Sequence, residues 1–290
     1  MSRLVLASFG GGTRSVYVGS VLYSLAKQYQ VTDIDLAFFA SSSYISAGYF
    51  FAGQYETMKE SWLTETPTPK LFNILNYFKN RPIIDLDYLI DYILRQAKPI
   101  LAERLKDIPA EIFCSLTNLR TGQVQLHSNK DPEFDYWKLL RATITLPGYT
   151  SPGGSMYLGD ECMDGVIVDF REVLARLQPG DKLVVIKSQP HQLQTLPLIR
   201  VFRIFYKENY ITLPRHLTIG NFYKDLLEES RQAYEEIKKN YPVLEIAPAT
   251  KIISAWDTRL SRFRRIWSFA EKQLASAEWQ KKITDFLNHD

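Results

Sequence analysis

The 290-residue chain has little cysteine: Cys114 and Cys162 are too few for a disulfide framework and lack metal-site spacing, which predicts a reducing compartment. Histidine is also sparse, with His127, His191, His216 and His289 scattered and none in a glycine-flanked turn. Charge of one sign is also missing, since 35 Lys+Arg against 32 Asp+Glu leave +3, whereas a nucleic-acid binder shows a strong basic excess. With 46% apolar and 23% charged residues the chain lacks the composition of disorder. No internal repeat, low-complexity tract or forced linker interrupts it. After Met1-Ser2-Arg3 there is no apolar stretch of signal-peptide length, so a cytoplasmic protein is expected. One uncharged stretch, residues 36–53, has about the minimum length of a bilayer span, but its four Ser and two Gly suit a buried strand running into a buried helix better.

What the chain has is aromatic side chains: seventeen Tyr and sixteen Phe, enough for a large core, a wide apolar cleft, or both. Residues 3–8 (RLVLAS) predict a buried strand ending at Phe9-Gly10-Gly11-Gly12, and Tyr17, Val21, Leu22 and Leu25 recur at helical spacing after it. A second apolar run, residues 34–40, leads through serines into another helix. That order is the signature of parallel βαβ units and of an α/β fold. Further on, the pattern predicts a helix over 83–106, a strand pair from 110–116 and 122–127, helices over 135–142 and 170–177, and a buried strand over 182–187. It then predicts an irregular aromatic-rich stretch over 190–225 and amphipathic helices over 223–239 and 257–287.

Three segments carry chemistry. In Gly10-Gly11-Gly12-Thr13-Arg14-Ser15, between strand and helix, the glycines bare backbone N–H groups at a helix N-terminus, which suits an anion or a developing oxyanion. A dinucleotide fingerprint would need an acidic residue at the end of the second strand; Asp33 and Asp35 stand at its beginning and Ala40-Ser41 at its end. Phe39-Ala40-Ser41-Ser42-Ser43 sits where a nucleophile elbow, G-x-S-x-G, would sit, and a serine-rich helix cap is the plainer reading. Met163-Asp164-Gly165-Val166 is an Asp-Gly turn after a short strand.

In this order the three segments resemble the patatin-like phospholipase family, with its G-G-G-x-R-G loop, G-x-S-x-G elbow and D-G-G or D-G-A turn, and most of all the bacterial cytoplasmic patatin-like hydrolases. Residues 84–89 (IDLDYL), Arg141-Ala142, Leu146-Pro147-Gly148-Tyr149 and 183–186 (LVVI) look like matching segments of that subgroup. The resemblance covers residues 3 to about 190. It implies a three-layer α/β/α sandwich around a mostly parallel sheet, with a patatin-like core over 1–190 and a C-terminal helical extension, 191–290, on the same domain. It also implies Ser41 as nucleophile and Asp164 as its base, with Gly10, Gly11, Gly12 and Arg14 at the oxyanion. Ser42 is the other serine that register allows. Ser15, Phe39, Ser43 and Val166 depart from the family's small residues.

The activity implied is hydrolysis of lipid acyl esters by a Ser–Asp dyad that needs no histidine, metal or cofactor; a Ser-His-Asp triad is the lesser alternative. Side chains at both 39 and 43 would push strand and helix apart, and the Phe39 ring fits only by swinging into the sheet face. The alternative is a silent patatin-fold protein that binds a lipid or a protein partner. Under the hydrolase reading, 190–225 supplies an apolar mouth. Arg259, Arg262, Arg264 and Arg265, with Trp256, Phe263 and Trp267, meet anionic headgroups in peripheral membrane contact, against the plainer reading of a solvated helix face.

Overall fold

Side chains alternate across a strand, and residues 4–8 and 36–40 are apolar at nearly every position, so each strand must be covered on both faces. In the computed structural model they form β1 (Leu4–Ser8) and β2 (Leu36–Ala40), paired in parallel with Val5 opposite Leu36. The structure describes residues 2–73, 75–76, 81–190, 219–250, 252–255 and 257–288, the side chains of 219–224 excepted. The other strands are β3 (Glu111–Asn118), β4 (Val124–Ser128), β5 (Ser155–Tyr157), β6 (Asp160–Asp164), β7 (Lys182–Ile186) and β8 (Val243–Ile246). The eight-stranded sheet runs β5-β6-β3-β2-β1-β7-β8, with β4 branching from β3. From β3 to β8 every pairing along that path is parallel, while β4 and β6 run antiparallel to β3, and β5 to β6.

The helices are α1 (Ser15–Gln28), α2 (Ser43–Phe51), α3 (Tyr55–Glu60), α4 (Tyr136–Thr143), α5 (Phe170–Leu174), α6 (Ile219–Asn240), α7 (Leu260–Ala275) and α8 (Ala277–Asn288). Wider π-helical turns cover Ser61–Glu65 and Tyr88–Ala97. One face of the sheet, including Leu6, Ala37 and Phe39, packs with α1, α2 and α7. The other, with Val5, Ala7 and Phe38, packs with Phe170 of α5 and Tyr234 of α6. The architecture is therefore a three-layer α/β/α sandwich around a mostly parallel sheet.

Several boundaries differ from the sequence expectation for local reasons. The helix expected over 83–106 stops at Ala97, because Pro99 disfavours helical backbone at Lys98 and cannot donate in a continuing helix. The helix expected over 257–287 breaks at Ser276, whose extended backbone separates α7 from α8. The helix expected over 170–177 closes at Leu174, and the uncharged 36–53 stretch divides into β2, a serine turn and α2. No helix among the described residues is long and apolar enough to cross a membrane. The segment expected to be irregular lies outside the described residues over 191–218, and from Ile219 it is helix.

The residues after 190 do more than add helices. Val243–Ile246, four residues without a clear sequence signal, extend the sheet beside β7. Helix α7 lies along α1: Tyr17 Oη donates to Gln273 Oε1 at 2.8 Å and Ser20 Oγ to the Trp267 carbonyl at 2.9 Å.

Candidate active site

The parallel strands end their carboxyl sides together, where ligands collect in open α/β sheets. There β1 runs into the glycines and β2 into Ser41. Ser41 adopts φ +58°, a left-handed conformation that costs a non-glycine residue about 1–3 kcal/mol and persists only where its surroundings fix it. Thr143, at the end of α4, supplies part of that fixing. Its Oγ1 accepts the Ser41 N–H at 3.0 Å and donates to the Ser115 carbonyl at 3.2 Å.

Helix α2 starts two residues later, and its first residue, Ser43, stitches it to the sheet. The Ser43 hydroxyl oxygen is 2.7 Å from the Ala40 carbonyl oxygen and 3.1 Å from that of Ser8. The crowding expected from Phe39 is avoided because the ring lies in the core on the α1 and α2 face, edge-on to Phe51 with centroids 6.2 Å apart, while Phe38 stacks on Phe113 on the other face.

Ser41 Oγ donates to Asp164 Oδ2 at 2.6 Å, and Asp164 Oδ1 accepts the Val166 N–H at 2.7 Å. The Asp-Gly turn after β6 thus aims one carboxylate oxygen at the serine and secures the other. Asp164 is 2% exposed, and burial pushes its carboxyl up to about 7, against the downward pull of the hydrogen bonds from Ser41 and Val166. The other buried aspartates have arginine partners: Asp169 meets Arg171 and Asp181 meets Arg3, each at 2.6 Å, and Asp257 meets Arg259 at 2.7 Å and Arg262 at 2.8 Å. Asp164 instead has a hydroxyl. A buried carboxylate titrating near neutrality beside a serine can take the serine's proton.

The glycine loop closes over this pair. A Cβ on Gly10 would stand 2.5 Å from both the Ala40 carbonyl oxygen and Ser41 Cβ, so only glycine lets the loop come this near the turn. Ser188 Oγ donates to the Gly10 carbonyl at 2.6 Å. The Gly11 N–H donates to Ser42 Oγ at 3.3 Å, which donates to the Gly12 carbonyl at 3.0 Å and lies 2.7 Å from Ser15 Oγ. Ser42 is therefore engaged with the loop and Ser41 with the carboxylate. Ser15, one of the residues expected to crowd the loop, fits because its hydroxyl joins Ser42. Arg14 is 8% exposed; its Nε donates to the Gly11 carbonyl at 3.3 Å and its guanidinium to Gln189 Oε1, and burial lowers its pKa.

Ser41, Asp164, Arg14 and all three glycines line one cleft of about 130 Å³, whose remaining walls are mainly apolar, among them Trp62, Phe72, Leu86, Leu89 and Ile144. Sequence reasoning brought out neither Thr143 nor Ser188, and Leu86 and Leu89 only as part of a matching segment and not as cleft wall, since a threonine at a helix end carries no local mark of the amide it will receive. His127 lies on β4, its Nδ1 3.7 Å from Asp131, and burial lowers its pKa; His191, His216 and His289 lie outside the described residues. Both cysteines are free and buried, and burial pushes the Cys162 thiol up to about 11. The arginine cluster divides: Arg259 and Arg262 hold Asp257, Arg264 and Arg265 are exposed, and Phe263 and Trp267 pack into the core, so the four do not form one free basic patch. Trp256 lies outside the described residues.

No family model and no curated protein matches the chain. Among solved structures it is similar to VipD from Legionella pneumophila, with 11% identity over 93% of this chain and 67% of that one, at a TM-score of 0.48. It is also similar to full-length ExoU of the Pseudomonas aeruginosa type III secretion system, solved in complex with SpcU, with 12% identity over 95% of this chain and 54% of that one, at a TM-score of 0.40. The chain spans about half the length of ExoU.

Proposed function

We propose that the chain is a patatin-like serine hydrolase that cleaves acyl esters of lipids, working in the cytoplasm with peripheral contact at a membrane. Its main support is the 2.6 Å hydrogen bond from Ser41 Oγ to Asp164, made inside an apolar cleft with the glycine loop beside it. Asp164 takes the proton from Ser41 Oγ as the oxygen bonds to the ester carbonyl carbon. The charge that develops on the carbonyl oxygen is met by the glycine loop, whose Gly10, Gly11 and Gly12 line the cleft with Arg14, the Gly11 N–H turning from Ser42 Oγ to the oxyanion. Collapse breaks the ester bond, and the departing alcohol carries away the proton held by Asp164. Water then attacks the acyl-serine carbonyl, giving a proton to Asp164; the acyl–Oγ bond breaks, the carboxylic acid leaves, and the proton passes back to Ser41 Oγ. No histidine, metal or cofactor enters the cycle. The apolar walls favour a hydrocarbon acyl chain over a polar one.

The test is turnover of a short p-nitrophenyl ester by the wild type beside Ser41→Ala and Asp164→Asn. Turnover by the wild type and its loss in both variants is expected, and equal rates in all three would overturn the reading. A fluorophosphonate probe should label Ser41. A wild type that binds lipid vesicles yet turns over no ester would favour the silent, lipid-binding alternative.

A further inference from the structure

Ser41 and Asp164 both precede residue 190, yet the loop that faces them is fastened from the far end of the chain. Thr13 follows the three glycines directly. Its N–H donates to the Ala255 carbonyl at 2.9 Å, its Oγ1 donates to the Ser254 carbonyl at 3.2 Å, and the same Oγ1 accepts the Asp257 N–H at 3.2 Å. Gly12, at φ +62°, lies so near that a Cβ there would stand 2.4 Å from the Ala255 carbonyl oxygen. Ala255 itself lines the cleft.

The strap is anchored in turn. The Asp257 carboxylate accepts from the Arg259 backbone N–H at 3.0 Å and from the Arg259 and Arg262 side chains. This ties the strap to the start of α7, and α7 is held to α1 through Tyr17 and Ser20. The glycine loop is thus bounded by a helix that the same C-terminal region grips.

We propose that Thr13 is a positioning residue: through it the strap residues Ser254, Ala255 and Asp257, with α7, hold the glycine loop in the geometry that meets the oxyanion, so the C-terminal region completes a site whose reacting groups lie in the first 190 residues. The inference rests on the hydrolase reading above. Three consecutive glycines have the largest backbone freedom available, and amide donors stabilise a developing charge only when they are fixed before it forms. A displacement on the order of 1 Å costs about a hundredfold in rate. The loop's contacts to Ser42 and Ser188 hold Gly10–Gly12, and the strap holds the side toward Thr13.

The test compares Thr13→Val, which keeps shape and loses the hydroxyl, with Thr13→Ser, which keeps the hydroxyl. With a p-nitrophenyl ester, Thr13→Val should lower kcat by about tenfold to a hundredfold with KM within about twofold, and Thr13→Ser should stay within about threefold of the wild type. Amide hydrogen exchange over residues 9–16 should quicken in Thr13→Val alone. Should Thr13→Val not fold, Asp257→Asn reaches the strap from its other side, and the same fall in kcat with faster exchange is expected. Wild-type kcat in the variant that folds, or an equal loss in Thr13→Ser, would overturn this inference alone. A wild type without any ester turnover would overturn the hydrolase reading and this inference with it.

Discussion

Two regions of the molecule each end in a buried aspartate, and the two behave oppositely. Asp164 ends β6 and opens the Asp-Gly turn beside Ser41, and Asp257 follows the strap that holds Thr13. Both are almost fully buried, yet the Asp164 carboxyl is pushed up to about 7, while the Arg259 and Arg262 guanidinium groups pull the Asp257 carboxyl down to about 2. Burial alone therefore does not decide what a carboxylate does; the partner it is buried with does. Facing only neutral donors among the described residues, Asp164 can exchange a proton near neutrality. Facing two cations, Asp257 keeps its charge and acts as a rivet.

The largest test of this contrast is Asp164→Asn. Turnover should fall by at least about a thousandfold, as for other members of nucleophile–base pairs. The same variant should be more stable than the wild type above about pH 7, by up to about 4 kcal/mol, and not at about pH 4. The sign follows from a folded-state pKa raised above the unfolded one: the contribution to stability is full below the unfolded value and is lost as pH rises through about 7. Chemical denaturation at both pH values checks it, and an unchanged stability at high pH would break the contrast.

Next is the pH profile of kcat/KM. Under the proposed mechanism the base must be ionised, so activity should climb through about pH 7 and level above it, with about a tenth of the plateau left one unit below. A profile flat from pH 5 to 8 would remove Asp164 as the base. Asp257→Asn should act in the other direction from Asp164→Asn. It loses hydrogen bonds to charged groups and should cost about 2 kcal/mol of stability near neutral pH, with the loss fading as pH falls through about 2, where Asp257 itself is protonated. The smallest effect belongs to Arg264→Ala. Exposed and outside the ion pairs that hold Asp257, it should change stability by less than about 0.5 kcal/mol, read as a melting temperature near that of the wild type.

The parallel βαβ core was legible because its cause is local. Residues 4–8 and 36–40 are apolar on both faces, and strands of that kind must be covered on both sides. The glycine loop and the Asp-Gly turn were legible for the same reason, since glycines after a strand mark places where backbone must come close. The elbow was less so. Phe39 and Ser43 read as obstructions, because a sequence shows which side chain replaces a glycine but not which way it points; the fold turns the Phe39 ring into the helical layer and gives the Ser43 hydroxyl two carbonyls. Thr143, β8 and the strap left no readable mark, each being defined by a partner distant in the chain.

The sequence by itself determined the α/β alternation, the sites of the tight turns, and a serine and an aspartate on two of them, because periodicity and glycine placement act over a few residues. Only the tertiary structure decided that Ser41 rather than Ser42 meets Asp164, that no arginine among the described residues pairs with this aspartate, and that Ser254, Ala255 and Asp257 grip the loop. Those outcomes depend on distances between segments more than a hundred residues apart, which packing of the sheet and its helices sets and no local pattern encodes.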